Sequence, residues 1–387
     1  MIDFSLTEEQ RMIRDMVREF ARDRLKPRAR YLDETGEFPV DTLREMGELG
    51  LMGVNVSGNY GGTEAGVVAY SLAMTEIAAA CAATAVTVSV TNMVAEIIQK
   101  YGSEEQKRTH IPAICSGDAV CGAFALSETG AGSDAGSLRC RAVKDADDYV
   151  LNGEKLWISH GGYAGVTLLM ARTGQPGPRG ISAFLMTPDI PGFSVGRKED
   201  KMGLRGSNTV SLILEDARVP AANLLGKEGM GFRIAMTALD GGRIGIGSQA
   251  LGIARAALED SGLYAQERVQ FGRPIATLEQ IRDMLGDMRT SWEAARLLTL
   301  RASWRKEQGL PFTREASLAK LYSTEIANRI CQDAVQIHGG FGYVKEYDVE
   351  RYYRDVRVTT IYEGTSQVQR IVAARESFKA EVGEERT

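Results

Sequence analysis

Tyr149-Val150-Leu151-Asn152-Gly153-Glu154-Lys155-Leu156-Trp157-Ile158-Ser159 is the stretch that decides the fold. Apolar and polar residues alternate on both sides of Asn152-Gly153, the pattern of two half-buried strands joined by a hairpin turn. A strand-like run at 138–143 precedes it, and runs at 166–171, 181–186 and 209–214 follow. Pro176, Pro178, Pro188, Pro191 and Pro220 crowd into the same region. Residues 118–231 therefore read as an antiparallel β domain that helices cover on one side.

Working outward, the flanks are helical. Thr7-Glu8-Glu9-Gln10 is a capping box, and Ile13, Met16, Val17 and Phe20 behind it recur at helical spacing. Ser103-Glu104-Glu105-Gln106 repeats the device, and the span 67–100 between them is rich in Ala, Met and Leu. Residues 1–117 thus form an N-terminal helical domain. From about Gly231 the helical period resumes over 232–269, 278–308 and 314–337. Phe271-Gly272-Arg273-Pro274 and Gly309-Leu310-Pro311 divide these runs, which predicts an antiparallel bundle in 232–387 with a frayed tail from Glu381. The fold class is α+β, mainly α, in the order helices, strands, helices.

Bulk properties set the function classes aside. A hydrophobic content of 44% with 25% charged residues is globular, and no apolar run approaches the roughly 18 residues of a membrane span. A net charge of -5 argues against a chain held on nucleic acid by bulk electrostatics. Cys81, Cys115, Cys121, Cys140 and Cys331 are odd in number and far apart, which fits reduced, buried thiols and no metal site. The first 25 residues hold several acids and no apolar core, so a cytoplasmic protein is expected.

Several segments carry chemistry. In Thr360-Ile361-Tyr362-Glu363-Gly364-Thr365-Ser366, Glu363 is the single acid between Val356 and Arg370, placed where a tight turn enters a helix. Burial there would raise its pKa toward that of a general base. Phe124-Ala125-Leu126-Ser127-Glu128-Thr129-Gly130-Ala131-Gly132-Ser133-Asp134 offers glycines and hydroxyls that bring backbone N–H groups to a ligand. Trp157 and Ser159 lie two residues apart, hence on one face of a strand, where they would stack on and hydrogen-bond a planar ring. Arg268 and Phe271 sit at a helix end, and Gln336-Ile337-His338-Gly339-Gly340 closes another helix on glycines. Asp240-Gly241-Gly242-Arg243 puts two glycines inside a helix at a cost of about 1 kcal/mol each relative to alanine, a sign of close packing or a ligand. Arg351, Arg354 and Arg357 alternate with Glu350 and Asp355, which predicts a solvated or interface face.

In this order the segments resemble the acyl-CoA dehydrogenase family over nearly the whole chain, nearest its short-chain (butyryl-type) and short branched-chain members. The resemblance implies an N-terminal helical domain, a middle β domain and a C-terminal four-helix bundle. It implies non-covalent FAD, an acyl-CoA substrate, a homotetramer built as a dimer of dimers, and an electron-transfer flavoprotein as acceptor. The setting it suggests is fatty-acid β-oxidation or branched-chain amino-acid degradation. Carried over by position, Phe124, Leu126, Ser127, Gly132 and Ser133 would line the flavin and pyrophosphate, with Ser133 also touching the pantetheine arm. Trp157, Ile158 and Ser159 would pack on the isoalloxazine. Arg268, Phe271, Gln336, Ile337, Gly339 and Gly340 would hold the diphosphate and adenine across a subunit interface, and Thr365 and Gln367 would close over the phosphate. Asp240, Arg243, Tyr362 and Gly364 would contact substrate, and Glu363 would be the catalytic base.

Some branches of the family carry the base just before the arginine of Asp-x-x-Arg. Gly242 occupies that place here, so the resemblance leaves Glu363 as the base. Glu279 stands where glutamine is usual and Thr129 where proline often follows the glutamate; both touch the flavin surroundings. A dehydrogenase for cyclic or dicarboxylic acyl-CoA, an acyl-CoA oxidase and a non-catalytic flavin-binding relative are the alternatives. The absence of arginine from 88–98 disfavours a dicarboxylic substrate.

Overall fold

A computed structural model describes residues 5–384. The N-terminal domain holds α1 (Glu8–Phe20), α2 (Lys26–Thr35), α3 (Val40–Glu48), α4 (Val67–Ala80), α5 (Ala82–Tyr101) and α6 (Glu104–Ser116). Both capping boxes form: Thr7 Oγ1 accepts from the Gln10 amide at 3.1 Å, and Ser103 Oγ from the Gln106 amide at 3.1 Å. The Ala-, Met- and Leu-rich span forms two helices that break at Cys81, whose backbone turns extended (φ −151, ψ 102) between α4 and α5. Beyond the break, α5 is buried over almost its whole length.

The middle domain is built on β1 (Gly122–Ala125), β2 (Arg141–Asp145), β3 (Asp148–Ser159), β4 (Val166–Arg172), β5 (Ile181–Met186), β6 (Phe193–Lys198), β7 (Thr209–Pro220) and β8 (Leu224–Leu225). They form one sheet in the order β6-β7-β3-β2-β4-β5-β8, with β1 added beside β4. Most pairs are antiparallel, as expected, but β1 runs parallel to β4, and β2 meets β4 in parallel at Arg141 and Arg172.

The hairpin expected at Asn152-Gly153 is absent. β3 runs straight through these residues, and the turn lies earlier, at Ala146-Asp147, between the paired Asp145 and Asp148. Gly153 instead marks a register shift against β7, at φ 147, where a Cβ would come within 2.9 Å of the Cys140 Cα. Asn152 exchanges hydrogen bonds with Asp216 across that irregularity. The dipeptide thus serves a bulge rather than a turn.

The C-terminal domain holds α7 (Gly231–Glu267), a two-stranded ribbon of β9 (Val269–Gln270) and β10 (Arg273–Pro274), α8 (Glu279–Glu307), α9 (Thr313–His338), α10 (Val349–Val356) and α11 (Ser366–Glu384). α11 continues through Glu384, so the tail expected from 381 is helical that far; residues 385–387 lie outside the described residues. α7 is about 55 Å long at 1.5 Å per residue. Its small residues let other elements approach: a Cβ on Gly252 would meet Thr75 and Ala78 of α4, and one on Gly245 would meet Ser89 of α5 and Tyr70 of α4.

Arg351, Arg354 and Asp355 do not form a solvated face. Arg351 and Asp355 are buried, and Arg354 grips Asp33 of α2 and Glu350 while donating to the Met202 carbonyl. The Leu204 amide donates to Asp355 at 2.6 Å. Of the two readings, solvated or interface face, these charges follow the second, joining α10 to the N-terminal and middle domains, while Arg357 stays exposed.

Candidate active site

α5 is the wall shared by two groups of site residues. On one side the Gly122 amide, at the start of β1, donates to Thr91 Oγ1 at 3.2 Å. On the other, Met93 lies against Gly242, where a Cβ would also come within 2.7 Å of Glu363 Oε2. The loop after β1 and the carboxylate of Glu363 are thereby held around one helix.

The turn before α11 presents that carboxylate. Glu363 has φ 53 and Gly364 φ 90, two successive left-handed residues that cost strain at the non-glycine position. Their own backbone does not hold the turn. Gln369 Nε2 donates to the Glu363 and Gly364 carbonyls at 3.1 and 3.0 Å, and Lys320 Nζ donates to the Gly364 carbonyl at 2.8 Å. Among the described residues, the Glu363 amide donates to no protein acceptor, so its N–H is free for a ligand.

Glu363 as a residue is half-buried, yet its Oε2 is enclosed without a hydrogen-bond partner. Burial pushes its pKa up to about 7, against the opposing pull of the Arg243 and Lys320 cations. Arg243 is buried, pairs with Asp240 and donates to Ser317 Oγ at 3.2 Å. Asp240 also accepts from Thr313 Oγ1 at 2.8 Å. The Tyr362 hydroxyl donates to Gln249 Oε1, and the Gln249 amide donates to the Ala82 carbonyl at 2.8 Å, so the residue before Glu363 is anchored to α7 and α5. A carboxylate so placed exchanges a proton near neutral pH.

In the middle domain, the loop 126–134 is pinned from beneath. Lys155, fully buried, donates to the Leu126 carbonyl at 3.1 Å and pairs with Glu128 at 2.7 Å; Glu128 also accepts from the Arg139 and Cys140 amides. The Leu156 amide donates to the Ser127 carbonyl at 2.9 Å, which sets this loop beside Trp157. Gly132 and Ser133 are exposed, and nothing lies within 4 Å of a Cβ built on Gly130 or Gly132. Trp157 adopts φ 62 and remains 61% exposed. It falls within a register shift between Lys155 and Ile158, yet exposed Trp157, buried Ile158 and half-buried Ser159 still alternate in burial. The side chains of Ile158 and Ile337 are buried in the core, leaving only their backbone for a cofactor.

Arg268, Phe271 and 336–340 gather elsewhere. The Arg268 guanidinium lies 5.3 Å from the Phe341 ring centroid, His338 stacks on Tyr264, and Phe271 is 90% exposed on its ribbon. Gln336 lies about 24 Å along α9 from Lys320, at 1.5 Å per residue, so this group and Glu363 belong to opposite ends of that helix. Thr365 and Gln367 flank the start of α11. A cleft of about 480 Å³ lined by Leu258, Leu263 and Leu285 shares no residue with either group.

Lys155, Lys320, Gln249 and Gln369 are functional neighbours that sequence reasoning passed over. The signal for Lys320 was available: it falls on the buried stripe of α9 with Ala316, Ser323 and Ala327, where a lysine is out of place.

Fold and site together define a three-domain enzyme in which a sheet with an exposed tryptophan and a strained loop bearing a buried carboxylate share a helix wall. The chain belongs to the acyl-CoA dehydrogenase family: models of the family's N-terminal, middle and C-terminal domains match residues 7–118, 123–217 and 229–378. It is 47% identical to the mitochondrial short-chain specific acyl-CoA dehydrogenase of Bos taurus, over 97% of this chain and 91% of that one. Butyryl-CoA dehydrogenase from Megasphaera elsdenii superposes with a TM-score of 0.95 at 41% identity, covering 97% of this chain and all of that one. A structure from work on the electron transferring flavoprotein of Acidaminococcus fermentans and flavin-based electron bifurcation also superposes at 0.95, with 44% identity over 97% and 99% of the two chains. Among the described residues no helix is long and apolar enough to cross a membrane, and no cluster of potential metal ligands occurs.

Proposed function

We propose that the chain dehydrogenates a short-chain acyl-CoA, of butyryl or short branched type, to the trans-2-enoyl-CoA, with Glu363 as the base and FAD as the oxidant. The observation that carries this reading is the Glu363 carboxylate: enclosed, unpaired at Oε2, titrating at about 7 and seated against Gly242 beside α5.

The middle domain fits a flat anionic cofactor. An indole left 61% exposed is an unusual surface unless something planar covers it, and the glycine loop beside it has open space where Cβ atoms would intrude. Trp157, Ser159 and the loop Ser127–Ser133 would hold the ring and pyrophosphate. The distance between Glu363 and 336–340 along α9 supports the reading that Arg268, Phe271, Gln336, Gly339 and Gly340 serve the cofactor of a neighbouring subunit in a homotetramer. Bound FAD supplies the acceptor for the β-hydride and, through an electron-transfer flavoprotein, the outlet for its electrons.

The chain's own residues do the rest. The free N–H of Glu363 donates to the thioester carbonyl, which acidifies the α-carbon. Glu363 takes the α-proton as the Cα–Cβ double bond forms, and desolvation by the acyl chain keeps its proton affinity high. Arg243 and Lys320 oppose the burial that raises Glu363 to about 7, so that part of the population is ionised at neutral pH before substrate arrives. By position in the family pattern, Asp240 and Arg243 would contact the CoA moiety.

Glu363→Gln tests the assignment. The variant is expected to bind flavin and assemble like the wild type while losing about 10³-fold or more in turnover of butyryl-CoA. Bleaching of its flavin absorbance by butyryl-CoA at the wild-type rate would rule Glu363 out.

A further inference from the structure

Among the described residues two lysines are wholly buried, and they differ in what they meet. Lys155 has the Glu128 carboxylate at 2.7 Å. Lys320, from the inner stripe of α9, forms no ion pair among the described residues; its ammonium donates to the Gly364 carbonyl, one residue past the base. An ammonium without a carboxylate partner is expensive to bury, and a methionine would fill the same space without that cost. The turn it touches is strained, with left-handed backbone at both Glu363 and Gly364, and no backbone–backbone hydrogen bond is donated by the Glu363 or Gly364 amide among the described residues. What holds the turn is a pair of side chains converging on its carbonyls: Gln369 from α11 and Lys320 from α9.

Accordingly, we infer that Lys320 is a positioning residue for the base, fixing the Glu363–Gly364 peptide so that the carboxylate faces Gly242 and the Glu363 N–H points into the site, with Gln369 as the second, uncharged clamp. This rests on the reading of Glu363 as base. The charge acts as well as the hydrogen bond. Arg243 from α7 and Lys320 from α9 are the cations facing Glu363; Glu325 acts on Lys320 from its own helix, and the Tyr362 hydroxyl lies on the adjacent residue. Burial lowers Lys320 to about 8, and the Glu363 carboxylate opposes that fall, so the two groups stabilise each other's charged forms.

Three substitutions in the full-length holoenzyme separate the roles: Lys320→Met, Gln369→Leu and Glu363→Gln. Steady-state kinetics with butyryl-CoA across pH 5.5–9, about 1.5 to 2 pH units either side of the site's titration, is paired with deuterium exchange into acetyl-CoA followed by NMR. Acetyl-CoA has α-protons and no β-hydrogen, so its exchange reports the base without any oxidation. Lys320→Met is expected to lower kcat and α-exchange by about 10- to 100-fold, with KM within twofold (roughly, as for a loss confined to the transition state). It should also shift the acid limb of kcat/KM to higher pH, because a cation that depresses the pKa of Glu363 is gone. Gln369→Leu is expected to lower kcat and exchange without moving the limb, and it carries the test alone if Lys320→Met does not fold. Wild-type kcat, exchange and pH limb in Lys320→Met, or wild-type exchange in Gln369→Leu, overturns the inference. Absence of exchange in the wild type, or its persistence in Glu363→Gln, overturns instead the assignment of Glu363 on which the inference rests.

Discussion

Gly242 meets the tip of Glu363 more closely than any side chain would allow, since a Cβ there would stand 2.7 Å from Oε2 and 3.2 Å from the Met93 sulfur. Both neighbours are ends of flexible chains and can yield, so Gly242→Ala is expected to leave the fold intact and gain slightly in helix propensity, by up to about 1 kcal/mol. What must move is the carboxylate. With Glu363 as the proposed base, a displacement near 1 Å costs on the order of 10²-fold, so kcat should fall by that order while the thermal midpoint is unchanged or higher; an active Gly242→Ala enzyme would show that the Glu363 carboxylate has slack. At this scale the sequence disclosed the acid and the empty neighbour, because both are statements about which residue is present. It did not disclose Lys320 or Gln369, whose roles depend on carbonyls brought near from other helices.

The elements around the cofactor surface are shaped by exceptions to their own periodicity. β3 alternates until Gly153, shifts register there, and shifts again between Lys155 and Ile158; the first irregularity brings the strand against Cys140 and the second leaves the Trp157 indole exposed. The places of β2, β3, β4, β5 and β7 were legible because alternation survives on either side, whereas β6 and the short β8 carry too little pattern to be read. The bulges were not, because Asn-Gly carries the same local signal whether it closes a hairpin or opens a bulge, and partner strands decide between them. Lys155 lies between the two irregularities and ties β3 to the loop after β1 through Leu126 and Glu128. Lys155→Met leaves the Glu128 carboxylate with only the Arg139 and Cys140 amides, and removing one partner of a buried pair costs roughly 3 kcal/mol. Because that loop would cradle the cofactor, the variant is expected to purify with substoichiometric flavin, measured by absorbance ratio, before it loses helical structure by circular dichroism. Full flavin occupancy would show that the loop is held by other contacts.

Across the whole molecule, α10 joins the three domains: Arg354 reaches Asp33 of α2, Asp355 receives the Leu204 amide from the middle domain, and Arg351 pairs with Asp348, itself bound to Arg30. Alternating acids and bases on a short helix look like a solvated face in a sequence, and only the packing of distant domains against α10 made them interior. Asp355 titrates in this network with its own sign. Burial raises it from 3.8 to about 6, with the Arg351 cation and the Leu204 amide pulling it back, and Asp33 adding to the rise. The folded state therefore binds a proton more readily than the unfolded chain, and stability from this group is present below about pH 4 and lost as pH rises through about 6. Asp355→Asn keeps an oxygen for the Leu204 amide but removes the charge. Its stability relative to wild type should improve from pH 4 to pH 7, by about 3 kcal/mol at most at 1.36 kcal/mol per pH unit. Scanning calorimetry of both proteins across that window checks this, since every other titration is shared and cancels in the difference. A difference in midpoint that stays constant with pH would mean that Arg351 already compensates the Asp355 charge in full.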